Sequence, residues 1–189
     1  QFVQDLDNSN IFIAGACTKG LQSPGIRVGW IVASKKNIET LANYSSFGMG
    51  GVSHPSQLYA VKLLEPNRVK QARKAVEQHY NWQRERYGKA FEEMGLGVYT
   101  GNGGFYHWLE VPEGMTSAEL NRRLFKRGAA ILCASDCDMA RPHSKDPDYV
   151  TPYTRFFRFS FGPLLPETFE ADIRLFSEVL DEYKRELDI

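Results

Sequence analysis

The sequence predicts an α/β chain of two lobes joined by one long helix. Three observations predict it. Two short apolar, β-branched runs lie near the N-terminus, an unbroken helical pattern runs from Pro66 to about Met94, and strand-like and helix-like stretches alternate in the C-terminal half. The 189 residues are 42% hydrophobic and 24% charged, which supplies a sizeable core and excludes wholesale disorder.

The elements follow in order. Ile11-Phe12-Ile13-Ala14 reads as a short buried strand that ends at Gly15, and the run from Ile26 to Ala33 as a second strand. Ser34 is a good N-cap for a helix over about Lys35 to Tyr44, and a Gly/Ser-rich loop follows from Ser45 to Ser53. A short helix is expected from about Pro55 to Leu64. Pro66 suits a first helical turn, and Val69, Ala72, Val76, Tyr80, Gln83, Tyr87 and Phe91 recur at helical spacing, with Gly95 as the stop.

Phe105 to Val111 reads as a strand, and Thr116-Ser117-Ala118-Glu119 as a capping box that opens a helix stopped by Gly128. Ala129 to Cys133 and Phe156 to Phe161 read as strands on either side of a polar loop containing Pro142, Pro147 and Pro152. Pro166 opens a last helix, on which Phe169, Ile173, Phe176, Leu180, Tyr183 and Leu187 form an apolar stripe.

Several function classes drop out on composition. Lys plus Arg and Asp plus Glu are 23 each, so the chain lacks the broad basic field of a non-specific nucleic-acid binder. No apolar run approaches the roughly 20 residues needed to span a bilayer, and the N-terminus has no signal-peptide pattern. Three cysteines, Cys17, Cys133 and Cys137, argue against a disulfide framework and for a reducing, cytoplasmic setting. The spacing of Cys133, Cys137, Asp138 and His143 fits no standard metal pattern, so no metal is expected. His54, His79, His107 and His143 form no cluster, and Phe156, Phe157, Phe159 and Phe161 are expected in strand and core.

The chemistry-bearing segment is Gly15 to Trp30. Lys19 sits just after a strand, Arg27 opens the next, and a turn with Pro24 and Gly25 lies between. A lysine and an arginine held this way can face one small anionic ligand: a desolvated lysine is a nucleophile toward aldehydes, and an arginine offers a fork of donors to phosphate. On spacing alone, ordinary solvated side chains remain the commoner reading.

This stretch resembles the lysine motif S-x-S-K-x-x-x-x-P-G-x-R-x-G-[WY] of class I/II, fold-type I pyridoxal-phosphate aminotransferases. Lys19, Pro24, Gly25, Arg27, Gly29 and Trp30 stand on the matching positions. Gly103-Gly104-Phe105-Tyr106-His107-Trp108, Ser53-His54-Pro55-Ser56-Gln57 and Arg155-Phe156-Phe157-Arg158-Phe159-Ser160-Phe161 resemble three further family segments in family order. The resemblance implies a pyridoxal-phosphate transferase-like fold: residues 1–65 as the end of the large-domain sheet, 66–94 as a bridging helix, and 95–189 as the small α/β domain.

It also implies roles. Lys19 would form the internal aldimine with pyridoxal 5'-phosphate, Arg27 and Thr18 would hold its phosphate, and Arg158, rather than Arg155, would bind the substrate's α-carboxylate. An amino acid and a 2-oxo acid would be the substrates, and the protein would be a homodimer with the Ser45–Ser53 region near the interface. Arg141, Tyr149 and Tyr153 are candidates to touch a substrate side chain.

Two departures stand out. Ala16 replaces a usual hydroxyl, leaving one phosphate hydrogen bond missing or supplied by Ser23 or a backbone group. Leu132-Cys133-Ala134-Ser135-Asp136 replaces the usual V-x-P-G loop. The family's acid for the pyridine nitrogen, its ring-stacking aromatic and its phosphate loop would all lie before residue 1. The chain, which starts at Gln1, is therefore expected to be the C-terminal portion of a longer polypeptide. The alternatives are a pyridoxal-phosphate lyase or synthase of the same fold, or the aminotransferase-like effector domain of a transcription regulator.

Overall fold

The computed structural model describes residues 4–143 and 146–188. The chain divides into two compact units, one ending at Glu77 and the other starting at Gln78.

In the first unit, β1 (Ile13–Ala16) and β2 (Gly29–Val32) pair antiparallel, with Gly15 opposite Trp30 and Ala16 opposite Gly29. The sequence places a strand over Ile26 to Ala33. The structure instead has a 3-10 turn, Pro24–Ile26, and a left-handed Arg27, so the strand starts only at Gly29. Pro24 and Gly25 favour the turn over extension. The expected burial of the first strand also fails: Ile11, Phe12 and Ile13 are exposed, as are Trp30, Ile31 and Val32, and among the described residues this ladder has only its two strands.

α1 (Lys35–Gly48) is capped by Ser34, whose hydroxyl accepts from the Asn37 N–H at 3.4 Å. It extends one turn further than expected, through Ser45 and Ser46. Nothing there breaks a helix until Gly50, which takes a φ of 70°. α2 (His54–Leu63) buries Ala60 and Leu63 against Cys17, with Leu21, Ile26 and Val28 around them. α3 (Pro66–Glu93) runs unbroken, and its last turns belong to the second unit.

The second unit is a four-stranded antiparallel sheet in the order β3-β4-β6-β5. Its strands are β3 (Gly97–Tyr99), β4 (Tyr106–Glu110), β5 (Leu132–Cys133) and β6 (Phe156–Ser160). β3 is absent from the sequence reading, since three residues are too few to show alternation. β5 is two residues long rather than five, because the Ile131 N–H is taken by Asn121 Oδ1 at 2.9 Å and not by a strand.

α4 (Ser117–Lys126) and α5 (Phe169–Leu187) complete the unit. Thr116 Oγ1 accepts from the Glu119 N–H at 3.3 Å, one half of the expected capping box, while the Glu119 carboxylate turns to Arg122 and Arg123. The core joins Tyr87 and Phe91 of α3, Leu109 of β4, Leu120 and Leu124 of α4, Phe157 of β6, and Phe176, Val179, Leu180 and Tyr183 of α5. Alternation along β6 sends Phe157 into this core, with Phe159 packed against it, and turns Phe156 and Arg158 to the opposite face.

Candidate active site

The loop between β1 and β2 is tied by its own backbone. The Cys17 N–H donates to the Val28 carbonyl at 3.1 Å, the Ser23 N–H to Cys17 at 3.0 Å, and the Gln22 N–H to Lys19 at 3.0 Å. Cys17 is fully buried and pins the residues next to it. Lys19 therefore sits on a closed turn at the end of β1, with its side chain exposed and the neighbouring Thr18 half-buried.

Arg27, eight residues on, adopts a φ of 55°. For a residue with a Cβ this conformation costs about 1–2 kcal/mol, so the surrounding loop must impose it. Its Nη1 donates to the Pro24 carbonyl at 2.8 Å, and the rest of the guanidinium is exposed. Gly15 is required by close approach: a Cβ there would stand 2.4 Å from the Trp30 indole.

An amine, a hydroxyl and a guanidinium on one short, hydrogen-bonded loop form a donor set that fits an aldehyde bearing a phosphate. Thr18, Lys19 and Arg27 would hold it. Ser23 would not replace the hydroxyl lost at Ala16, because its own proton is committed to the Leu21 carbonyl at 3.0 Å.

Arg158 lies in the second unit, on β6, so the structure gathers three of the four sequence-predicted residues on one loop and places the fourth in the other unit. The two arginines at β6 have different surroundings. Arg155 forms an ion pair with Glu110 at 3.0 Å and donates from Nε and Nη2 to the Val111 carbonyl at 3.2 and 3.1 Å. Arg158 stacks over the Tyr106 ring at 4.3 Å, and its Nε is buried with no hydrogen-bond partner among the described residues. A buried donor left in this way favours an incoming acceptor.

Cross-strand register puts Trp108 directly opposite Arg158 on one side and Leu132 on the other. Tyr153 meets Trp108 edge-on at 6.5 Å, and Phe156 stacks on it at 6.3 Å. Arg158 is thus a cation set in an aromatic face. The sequence reading misses Tyr106 and Trp108 as its neighbours. Their alternation with His107 and Leu109 is visible, but which strand they face depends on register.

His107 points to the other face and is 1% exposed. Its Nδ1 meets Thr100 Oγ1 at 2.5 Å, while Nε2 is buried without a well-aligned partner, the Arg84 backbone giving only partial compensation. Burial lowers its pKa to about 4. Asp138 is buried in the loop after β5, and hydrogen bonds from Thr151 and Tyr149 hold its carboxyl below the usual range. The Cys133 thiol is pushed up by burial. Among the described residues, no group of three His, Cys, Asp or Glu side chains is placed to hold a metal, and no helix is long and apolar enough to cross a membrane.

Known proteins define the class. The family described as aminotransferase class I and II matches residues 1–167, and the chain belongs to that family. The fold is that of the pyridoxal-phosphate-dependent aminotransferases. Over 94% of its length the chain superposes on Pyrococcus horikoshii kynurenine aminotransferase with a TM-score of 0.79 at 19% identity, covering 42% of that chain. It also matches the alpha-aminoadipate aminotransferase LysN of Thermus thermophilus, with a TM-score of 0.74 at 20% identity over 90% of this chain and 42% of that one.

Two curated relatives narrow the comparison. LL-diaminopimelate aminotransferase of Natranaerobius thermophilus is 30% identical over 115 residues, 61% of this chain and 29% of that protein. The uncharacterized HTH-type transcriptional regulator YdfD of Bacillus subtilis is 29% identical over 131 residues, 68% of this chain and 27% of that protein. The matched stretches thus cover less than a third of the length of each of these relatives.

Proposed function

We propose that this chain contributes the lysine-bearing and carboxylate-binding parts of a pyridoxal-phosphate-dependent aminotransferase acting on an amino acid and a 2-oxo acid. The observation that carries the reading is the placement of Lys19 and Arg27 on one backbone-tied loop between β1 and β2. The first unit is then the end of the cofactor-binding domain, α3 the bridging helix, and the second unit the small domain.

When bound, pyridoxal phosphate supplies an electron sink for the carbanion that forms at the substrate α-carbon. Lys19 would attach the group through its amine and, when that amine is free, would act as the base that takes the proton from the substrate α-carbon. Arg27 and Thr18 hold the phosphate. Arg158 grips the α-carboxylate and so orients the α-C–H bond, a gain of geometry rather than of charge chemistry.

The second copy in a homodimer would cover the apolar end of α1 and the outer side of α2. Tyr44, Phe47, Met49, Leu58, Tyr59 and Val61 are all exposed there. The three free thiols suit a reducing, cytoplasmic setting.

The test is an absorbance spectrum of the full-length polypeptide with pyridoxal phosphate, beside Lys19→Ala. A cofactor band that requires Lys19, and that an amino acid bleaches while a 2-oxo acid appears, is the expected result. Equal spectra for wild type and variant would refute the role of Lys19. Ammonia among the products would assign a lyase instead. The resemblance to YdfD supports a second reading, an effector domain, which predicts Lys19-dependent cofactor binding with no amino group transferred to any 2-oxo acid.

A further inference from the structure

The segment between β5 and β6 carries an organisation that the catalytic reading does not use. It leaves the sheet at Cys133, next to Leu132, the cross-strand partner of Arg158. It returns through Tyr153, which lies edge-on to Trp108, the other cross-strand partner of Arg158. The segment therefore begins and ends on the two flanks of the same arginine.

Both ends are pinned at one residue. Ser117, at the start of α4 and 1% exposed, donates from its N–H and its hydroxyl to the Thr154 carbonyl at 2.9 and 3.0 Å, and its side chain also bonds the Cys133 thiol. The interior has a different fastening. After a 3-10 turn, Ala134–Cys137, that packs on β6, the chain reaches Asp138, a carboxylate only 7% exposed. Its Oδ1 accepts from the Ala140 N–H at 3.0 Å, and its Oδ2 accepts from the Tyr149 hydroxyl at 2.8 Å. The Thr151 side chain donates to the same carboxylate. Thr151 Oγ1 in turn accepts from the Tyr153 N–H at 3.3 Å, which carries the tie to the aromatic residue beside Trp108.

A single carboxylate thus joins the outgoing stretch, 134–141, to the returning one, 149–154. No Pro-Gly turn stands in residues 134–141 to set the shape, so the charge-assisted bonds to Asp138 set it.

We infer that Asp138 is a positioning residue, whose carboxylate fixes the segment that runs from Leu132, one cross-strand partner of Arg158, to Tyr153, which lies against Trp108, the other partner, and so sets the affinity of that arginine for a carboxylate ligand. The inference rests on the reading of Arg158 as the substrate-carboxylate site. Asp138 itself touches no reacting atom in this scheme; it acts through the walls it holds.

The experiment titrates 3-phenylpropionate, a carboxylate that has no amine to react, into the pyridoxal-phosphate-loaded full-length polypeptide by calorimetry. Wild type, Asp138→Ala, Asp138→Asn, Tyr149→Phe and Arg158→Gln are compared, each checked for an unchanged unfolding midpoint. Asp138→Ala is expected to weaken binding about tenfold, the affinity equivalent of one hydrogen bond to a charged group. Asp138→Asn, which keeps one acceptor, should fall between it and wild type, and Tyr149→Phe should weaken binding about threefold, since it removes one of the ties.

That graded order is the readout a purely structural role would not produce, because such a role would shift the midpoint and leave affinity intact. If Arg158→Gln abolishes binding while the Asp138 variants bind as wild type does, the clamp is wrong and the Arg158 reading stands. If Arg158→Gln binds as tightly as wild type, both fall. Should Asp138→Ala fail to fold, Tyr149→Phe decides, and unchanged affinity there overturns the proposal.

Discussion

Acidification should weaken the second unit through one residue, His107. The side chain is 1% exposed, and burial brings its pKa from 6.5 to about 4. Above pH 6.5 the imidazole is neutral in both folded and unfolded chains and makes no difference. Between pH 6.5 and 4 only the unfolded chain takes up the proton, so stability falls with pH by up to about 1.4 kcal/mol per unit. The loss is complete below the folded value and totals about 3 kcal/mol. From pH 7.5 to 5.0 this residue alone should account for about 2 kcal/mol.

The assay is urea unfolding at both pH values for wild type and for His107→Asn, which does not titrate and leaves a polar group near Thr100 Oγ1. The variant should start less stable, but should lose about 2 kcal/mol less between the two conditions. The carboxylates held low by their partners, such as Glu119 at about 2, contribute equally to both proteins and cancel in the comparison. Parallel losses in the two proteins would refute the reasoning, since they would mean that His107 takes up its proton equally in the folded and unfolded chains.

Two other outcomes are expected beside the Lys19 and Asp138 tests above. Leu180→Ala removes a fully buried side chain from the core shared by α3, the sheet and α5, and should cost about 2–5 kcal/mol in urea unfolding; a loss below about 1 kcal/mol would mean that α5 is not packed as described. Phe47 is 96% exposed, and Phe47→Asp should cost the proposed dimer about 2 kcal/mol or more, read as a shift to monomer in sedimentation velocity; an undisturbed dimer would move the interface elsewhere.

Much of the candidate site is legible in the sequence because it is local. Lys19 and Arg27 lie eight residues apart on one turn, and the residues that shape that turn, Pro24 and Gly25, lie between them. The strand pattern still overruns: the turn at Pro24 and Gly25 extends its influence to Ile26 and Arg27, and β2 starts three residues later than the apolar run suggests. The role of Ser23 is invisible for a different reason. A hydroxyl can donate once, and only the folded loop determines that the Leu21 carbonyl receives that proton.

By itself the sequence determined the long helix α3, the caps at Ser34 and Thr116, and the apolar stripe of α5, because helical periodicity and capping bonds span four residues or fewer. The resemblance already favoured Arg158 over Arg155, but only the tertiary structure shows what each arginine meets. Arg155 and Arg158 are three residues apart in the same kind of sequence, but one meets Glu110 and the Val111 carbonyl, and the other meets the face of Tyr106. Those partners are supplied by strand β4 and its end, 44 to 52 residues earlier, and only the antiparallel register selects them. The same holds for Asp138, whose partners at Tyr149 and Thr151 come from the far side of a loop that has no period of its own.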